Sequence, residues 1–302
     1  MNFKTSKHNT NCFRIFGILI LCLFVFQRGN AQLTDLARLE YSFIPKSNSE
    51  DQYTRLKALL NYPIKVKDDA YLVIGAEYNR ILLNLEDDYP FDTSTLDKIH
   101  IIDLNLGYTF KWNTNWRFGA KFNPRIASTL TEHLSSDDYF MNGGLFFIKD
   151  KTKDESLKRP YRLILGLTYN ATVGLPFPLP FVSYYREIDH KWSYNFGVPK
   201  SNIKYAFNPK NNLQAFATLD GYLAHLQDTP FVNGKDVDHI SLSVAVGGLG
   251  YEYDFTKHLV LYLYTGYTFR LNNVLRDKNR NEVFKLDDVN AFYLRTGLKF
   301  EI

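Results

Sequence analysis

The segment N-A-F-Y-L-R-T-G-L-K-F-E-I, residues Asn290–Ile302, decides the fold class. Successive side chains of a β-strand point to opposite sides of the sheet. One side of this segment is mostly apolar and carries Phe292, Leu294, Thr296, Leu298, Phe300 and Ile302. The other side is mostly polar or small and carries Tyr293, Arg295, Gly297, Lys299 and Glu301. This alternation predicts a strand with one apolar face and one polar face.

The same alternation recurs along the chain, most clearly in Ile99–Trp112, Trp116–Ala127, Tyr161–Val173 and His258–Leu271. It predicts fourteen strands, at residues 36–45, 53–66, 70–83, 99–112, 116–128, 138–149, 159–173, 180–188, 191–198, 202–208, 212–225, 238–255, 258–271 and 290–302. The two short strands within 191–208 are the least regular, and without them the number is twelve. The pair Gly247-Gly248 interrupts the alternation of its strand, which indicates a β-bulge.

A soluble sandwich and a membrane barrel both contain strands of this kind. In a soluble sandwich or lipocalin-like barrel, the apolar face would form a packed core. The regular segments here are longer than the usual about 5–6 residues and could cross a tilted span of bilayer. Aromatic residues also stand at the ends of the apolar faces, where interfacial girdles lie: Trp112, Trp116, Tyr161, Trp192 and Phe300. We therefore predict an all-β, transmembrane, antiparallel up-and-down β-barrel.

The N-terminus predicts export. Basic residues precede the apolar run Ile15–Phe26, and the small residue Ala31 follows it in a cleavage-site context. A membrane anchor needs about 20 apolar residues, and this run is too short. We predict a signal peptide over residues 1–31 and one barrel domain over 32–302 that begins at Gln32. The expected location is the outer membrane of a Gram-negative cell.

Removal of the signal changes the chemistry of the chain. Both cysteines, Cys12 and Cys22, lie in it, so the mature chain would have no disulfide, thiol catalysis or thiolate metal site. The full chain has a net charge of +4, and residues 1–31 hold four Lys/Arg and no Asp/Glu. The mature chain is therefore neutral, and the basic balance is no argument for nucleic-acid binding.

Short connections follow the even-numbered strands and longer polar ones follow the odd-numbered strands, except for the longer stretch Lys151–Lys158. This order matches a barrel with both termini and its short turns on the periplasmic side. The whole pattern resembles a family of uncharacterised outer-membrane β-barrels, a domain-of-unknown-function group of flavobacterium-like bacteria. The resemblance lies in Asn30-Ala31-Gln32, in Trp192–Tyr205 and in Gly297–Ile302, where Ile302 replaces a terminal aromatic residue. It implies location and barrel shape, and it implies no activity.

Three segments suggest other chemistry. His239 and Ser241 share a strand face, as in a His–Ser pair of outer-membrane lipid hydrolases, but Ile240 would hold the lipid side and turn both inward. The run Asp277–Asn281 starts like a calcium loop with Asp288 at its twelfth place, but Glu282 replaces the required Gly. The loop Glu86–Asp97 is acidic and would suit either solvent or divalent cations. We expect no catalytic residue, metal site or cofactor.

The predicted inward face carries more basic than acidic residues. The candidate pore-lining residues are Glu77, Asp103, Arg117, Lys121, Arg125, Arg162, Arg295 and Lys299. Arg117, Lys121 and Arg125 form a ladder on one strand, which would favour anions in an open lumen.

The leading prediction is a non-enzymatic, porin-like barrel, a passive channel for small solutes with a weak anion preference. One alternative is a closed structural or surface-interaction barrel, and a more distant one is an outer-membrane lipid hydrolase. The expected partners are outer-membrane lipid and lipopolysaccharide, the barrel-assembly machinery through the C-terminal strand, and small solutes, but no nucleic acid.

Overall fold

The computed structural model describes residues 35–171, 173–287 and 289–301. The predicted signal peptide, its cleavage site and Ile302 lie outside these residues. Within them are two 3₁₀ helices, Ser94–Leu96 and Ser136–Asp138, and seventeen strands. The strands are β1 (Ala37–Ile44), β2 (Gln52–Lys67), β3 (Ala70–Asn84), β4 (Lys98–Lys111), β5 (Arg117–Ser128), β6 (Tyr139–Asp150), β7 (Tyr161–Asn170), β8 (Phe177–Glu187), β9 (Trp192–Val198), β10 (Lys200–Asn208), β11 (Asn211–His225), β12 (Phe231–Val232), β13 (Lys235–Asp236), β14 (His239–Asp254), β15 (Leu259–Arg276), β16 (Glu282–Lys285) and β17 (Phe292–Phe300).

Fourteen of these strands form one closed antiparallel barrel, which confirms the predicted fold and strand number. Neighbours in the chain pair with each other, β11 pairs with β14, and β17 closes the wall between β15 and β1. The short strands β9 and β10 are both part of the wall, so the alternative of twelve strands is wrong. The hairpin β12–β13 and the strand β16 belong to loops. We call the end with Ala37 and Phe300 periplasmic and the opposite end extracellular, because termini and short turns of such barrels face the periplasm.

The outward face is apolar over most of the wall. Exposed outward residues include Leu39, Leu60, Leu104, Leu145, Leu167 and Leu263. Near the periplasmic end, the exposed Trp112 has its ring centroid 6.2 Å from those of Phe118 and Phe147. An apolar band that ends in aromatic residues is the surface of a barrel that lies in an outer membrane.

The extracellular half of the interior is filled by apolar side chains. Tyr222 and Ile240 on one wall are buried, as are Tyr53 and Ile81 on the opposite wall. The rings of Tyr53 and Tyr222 stack at 6.3 Å between centroids. This end of the barrel is therefore a packed core.

A contact across the barrel accounts for that packing. Ser128 of β5 pairs in parallel with His225 of β11, and the Thr129 N–H donates to the His225 carbonyl oxygen at 3.3 Å. At this end, the nine strands from β11 through β14, β15, β17 and β1 to β5 thus form a smaller ring. A ring of about 8 strands leaves room only for side chains.

The predicted bulge at Gly247-Gly248 is wrong. The pairing of β14 with β11 is continuous there, and the register of β14 with β15 shifts instead between Ser243 and Val244. The glycine serves a close approach of two strands, since a Cβ at Gly248 would lie 2.1 Å from the Thr265 carbonyl oxygen. Because no bulge intervenes, Ile240 faces the interior, which reverses the predicted orientation of the first half of β14.

Candidate functional site

The lumen contains three groups of charged side chains. The first includes Glu77, Asp103 and Arg125 of the predicted pore-lining set, which β3, β4 and β5 place side by side. Arg125 donates to both oxygens of Asp103, from Nε at 2.8 Å and from Nη2 at 3.0 Å. Glu77 Oε1 lies 3.0 Å from Lys57 Nζ. Each carboxylate in this group therefore has a cation of its own.

The second group crosses the lumen. Asp220 on β11 accepts from Arg55 Nη1 at 2.9 Å and from Arg55 Nη2 at 2.6 Å. Arg295, another predicted residue, donates from Nη2 to the same carboxylate at 2.6 Å. The buried Glu40 accepts from Tyr262 Oη at 2.7 Å and lies 3.6 Å from Arg295 Nε. Because Arg55 and Arg295 stand on β2 and β17, these ion pairs connect opposite walls.

The third group surrounds Glu252 and includes residues that the sequence analysis missed. Lys204 Nζ lies 2.5 Å from Glu252 Oε2, and Gln214 donates to Oε1 at 2.9 Å. The predicted Lys299 lies 3.9 Å from Glu252 and 3.0 Å from Glu301. Alternation alone did not assign Lys204 to the inward face, because β10 is short. The strand does alternate, with Lys200, Asn202 and Lys204 on one face and Ile203 and Tyr205 on the other.

The three remaining predicted residues are apart from these groups. Arg117 donates to the Asp69 carbonyl oxygen at 2.8 Å in a periplasmic turn. Arg162 lies over the Tyr185 ring, 5.8 Å from its centroid. Lys121 is exposed and has no hydrogen bond or ion pair within 4 Å among the described residues. The ladder of three cations is thus on one face of β5, but Lys121 differs from the other two in having no partner within the described part of the chain.

Lys121 lines a cavity of about 200 Å³. Its other lining residues come from the inner faces of β5 to β8, from the end of β9 and from β11. They include Asn123, Phe146, Thr168, Leu179, Phe181, Val198, Pro199 and Leu219. The surface is thus mostly apolar, with one cation.

The cavity lies at a notch in the wall. β9 ends at Val198, opposite Val182 of β8, and β10 begins at Lys200, opposite Thr218 of β11. Above this hairpin, no strand of the described chain fills the space between residues 177–181 of β8 and 219–224 of β11. Val198, Pro199 and Leu219 therefore form a rim where the cavity meets the wall.

His239 and Ser241 do not point into the lumen, contrary to the sequence prediction. They lie on the opposite face from Ile240 and are buried, at 6% and 0% exposure. Ser241 Oγ accepts from Arg276 Nε at 2.9 Å, and the His239 ring contacts those of His225 and Phe140. Among the described residues, His239 Nδ1 has no hydrogen-bond partner, and Ser241 Oγ is bonded to Arg276 rather than to His239.

The carboxylates of the two acidic loops are engaged by neighbouring loop groups. Asp87 accepts from Ser49 Oγ and from the Glu50 N–H, both at 2.9 Å, in the loop between β1 and β2. Asp277 accepts from the Asn281 N–H at 2.9 Å and closes a turn, and Asp288 lies outside the described residues. Asp51 accepts from the N–H groups of Glu86 and Asp87, and burial raises the pKa of its carboxyl. In the described part of the chain, no group of three or more His, Cys, Asp or Glu residues could hold a metal ion.

A further buried carboxylate holds the extracellular loop between β5 and β6. Asp138 lies 2.8 Å from His225 Nδ1 and accepts from Gln227 at 3.0 Å and from the Ser135 N–H at 2.7 Å. Burial opposes ionisation of this group, but the hydrogen bonds outweigh it and lower its pKa to about 2. The carboxylate therefore stays charged and holds this loop against the end of β11.

Helices of the described residues are all too short or too polar to cross a membrane. Among solved structures, the chain is similar to the KdgM porin, at 10% identity over 88% of this chain and 99% of that chain, with a TM-score of 0.37. It is similar to an outer membrane channel from Pseudomonas putida F1, at 14% identity over 92% and 100%, with a TM-score of 0.43. It is also similar to a deltaS2 mutant of the TodX monoaromatic hydrocarbon channel, at 9% identity over 89% and 91%, with a TM-score of 0.37.

No curated protein matches the chain. The family model described as Domain of unknown function (DUF6268) matches residues 29–301, and the chain belongs to that family.

Proposed function

We propose that this barrel admits small amphipathic molecules from the outer leaflet of the membrane through the notch in its wall. The observation that supports this route is the position of the open space. The axis is filled by apolar side chains at the extracellular end, whereas the cavity beside Lys121 reaches the rim at Val198 and Leu219. A solute that arrives from the membrane would therefore meet the open part of the interior first.

The lining of the cavity favours a ligand with an apolar body and one negative group. Phe146, Leu179 and Phe181 supply apolar surface. Next to the cavity, the charge group of β2 to β5 has two carboxylates, and both are already paired, Glu77 with Lys57 and Asp103 with Arg125. Lys121 is the cation left to bind an anion, and ligand pockets commonly combine apolar walls with a few polar groups of this kind.

An axial channel with weak anion preference is the second candidate. It is supported by the basic excess of the inward face, and it is weakened by the ion pairs that use most of these cations.

A closed structural barrel is the third candidate, and the ion pairs from Arg55 and Arg295 to Asp220 support it. We expect neither a cofactor nor a lipid hydrolase activity.

The test is equilibrium binding of dodecanoate, a simple amphipathic anion, to the refolded protein. Changing Lys121 to Met should raise the dissociation constant about tenfold, because one charge-assisted hydrogen bond is worth about 1.5–3 kcal/mol. Changing Lys65 to Met, at an exposed site beside Asp68, is the matched control and should leave binding unchanged. A bulky Leu219→Trp variant should block binding without unfolding the barrel.

Three results would separate the candidates. Absence of dodecanoate binding by the folded wild-type protein would reject the proposed route and favour the closed barrel. Ion conductance with anion preference that is lost when Arg117, Lys121 and Arg125 are all changed to Glu would favour the axial channel. Equal binding by the Lys121 variant would reject the assigned role of that residue.

A further inference from the structure

Two strands carry basic side chains on the lipid side of the barrel near its extracellular end. Arg80 on β3 stands opposite His100 on β4, and Lys98 stands one pair farther out, opposite Leu82. All three lie on the outward faces of their strands, the same faces that carry the exposed Tyr78, Leu82 and Ile102. Arg80 and Lys98 are exposed, and His100 is half-buried.

These groups keep hydrogen-bond donors available. Arg80 has no hydrogen bond or ion pair among the described residues. In the described ranges, the ion-pair partner of Lys98 is the exposed Asp97, at 3.3 Å. His100 Nδ1 lies 2.8 Å from Tyr78 Oη, which leaves its second ring nitrogen for another partner. An anion at this place would therefore meet a guanidinium, an ammonium and an imidazole that nothing else fully engages.

The position along the strand places this cluster at the lipid headgroups. Below it, the outward residues of β4 are apolar from Ile102 to Phe110 and are followed by Trp112 near the periplasmic end. At about 3.3 Å per residue and a tilt of about 40°, the stretch from Ile102 to Trp112 rises about 25 Å, the height of the apolar band of such barrels. Arg80, Lys98 and His100 thus stand just beyond the band, at the level of the outer-leaflet headgroups.

We propose that Arg80, Lys98 and His100 bind a phosphate group of a phosphorylated outer-leaflet glycolipid of the lipid A type. Arginine and lysine together suit phosphate, the first through its fork of donors and the second as a point charge. The exposed Leu56, Leu82 and Ile102 flank the cluster and would contact the acyl chains of the same molecule. In the extracellular half of the described wall strands, Arg80 and Lys98 are also the only exposed basic residues on the outward face, so the site is local.

The test uses the refolded protein in nanodiscs of phosphatidylcholine, with lipid A that carries two phosphates as the probe. Retained lipid A is counted by native mass spectrometry after titration. Changing both Arg80 and Lys98 to Ala should raise the apparent dissociation constant at least about tenfold, because charge-assisted hydrogen bonds are lost. The control changes Lys149 and Arg186 to Ala, which removes the same charge from outward positions near the periplasmic end and should have no effect.

Two comparisons identify the ligand. Dephosphorylated lipid A should bind the wild-type protein as weakly as phosphorylated lipid A binds the double variant. Inorganic phosphate at millimolar concentration should not displace lipid A, because it lacks the acyl contacts. Equal retention by wild type and double variant, equal binding of dephosphorylated lipid A, or full displacement by inorganic phosphate would each overturn the proposal.

Discussion

At the scale of single residues, Asp220 joins three strands of the wall through one carboxylate. One carboxylate on β11 accepts hydrogen bonds from Arg55 on β2 and Arg295 on β17. Breaking a buried ion pair by removing one partner is costly, because the remaining charge stays buried without compensation. Here two guanidinium groups would lose this carboxylate at the same time and would be left with the longer contacts to Glu40, at 3.8 Å from Arg55 and 3.6 Å from Arg295.

We expect Asp220→Asn to lower the free energy of unfolding by about 3–5 kcal/mol. Urea unfolding of the protein refolded in detergent, followed by tryptophan fluorescence, measures the change. Asp68→Asn removes a carboxylate that is exposed in a periplasmic turn and should cost less than about 1 kcal/mol. Similar losses for the two variants would mean that the pairs across the lumen add no stability.

At the scale of the strand, alternation predicted the wall well wherever one face meets lipid and the other meets polar groups. In β4 and β15, apolar and polar residues take turns because the two faces have different surroundings. Residues 239–244 of β14 are buried on both faces, so the burial of Ile240 and that of Ser241 do not differ as they would between lipid and lumen. The alternation therefore predicted the wrong face there. The short strands β9 and β10 contained too few residues for the pattern to be read with the same accuracy.

Leu263 tests the face assignment of β15, since its side chain is exposed on the outward surface at 47%. An arginine there should destabilise the barrel by about 2–4 kcal/mol, because the site lies near the middle of the apolar band. An arginine at Leu271, close to the extracellular end of the same strand, should cost only about 0–1 kcal/mol. Both values can be measured by reversible unfolding in bilayers, and a reversed order would contradict the orientation of β15.

At the scale of the whole molecule, the sequence predicted the barrel and most inward charges, but neither the notch nor the packed extracellular end. The packed end depends on the pairing of Ser128 with His225, which are far apart in the chain and which no local pattern joins. The notch depends on the heights at which β9 and β10 end beside β8 and β11. That Lys121 has no ion-pair partner among the described residues could not be predicted either, because it also depends on contacts between strands. Inward direction follows from alternation, whereas the absence of a partner depends on which carboxylates the neighbouring strands place nearby.

The export signal is also a prediction about the whole molecule, and it concerns residues outside the described part of the chain. The mature protein should begin at Gln32, because small residues precede it in a cleavage-site context. N-terminal sequencing of the protein from outer-membrane fractions of the producing cell checks this expectation. Recovery of a chain that begins at Met1, or recovery from the cytosol, would contradict it.

The wall closes where β1 meets β17, in seven residue pairs from Ala37–Phe300 to Phe43–Leu294. The partners in these pairs are more than 250 positions apart in the chain, farther than those of any hairpin in the wall. Joining such distant segments costs chain entropy before any contact can compensate for it. We therefore expect the seam to form late in folding. Until it forms, β1 and β17 would each present an unpaired edge that a second strand could occupy.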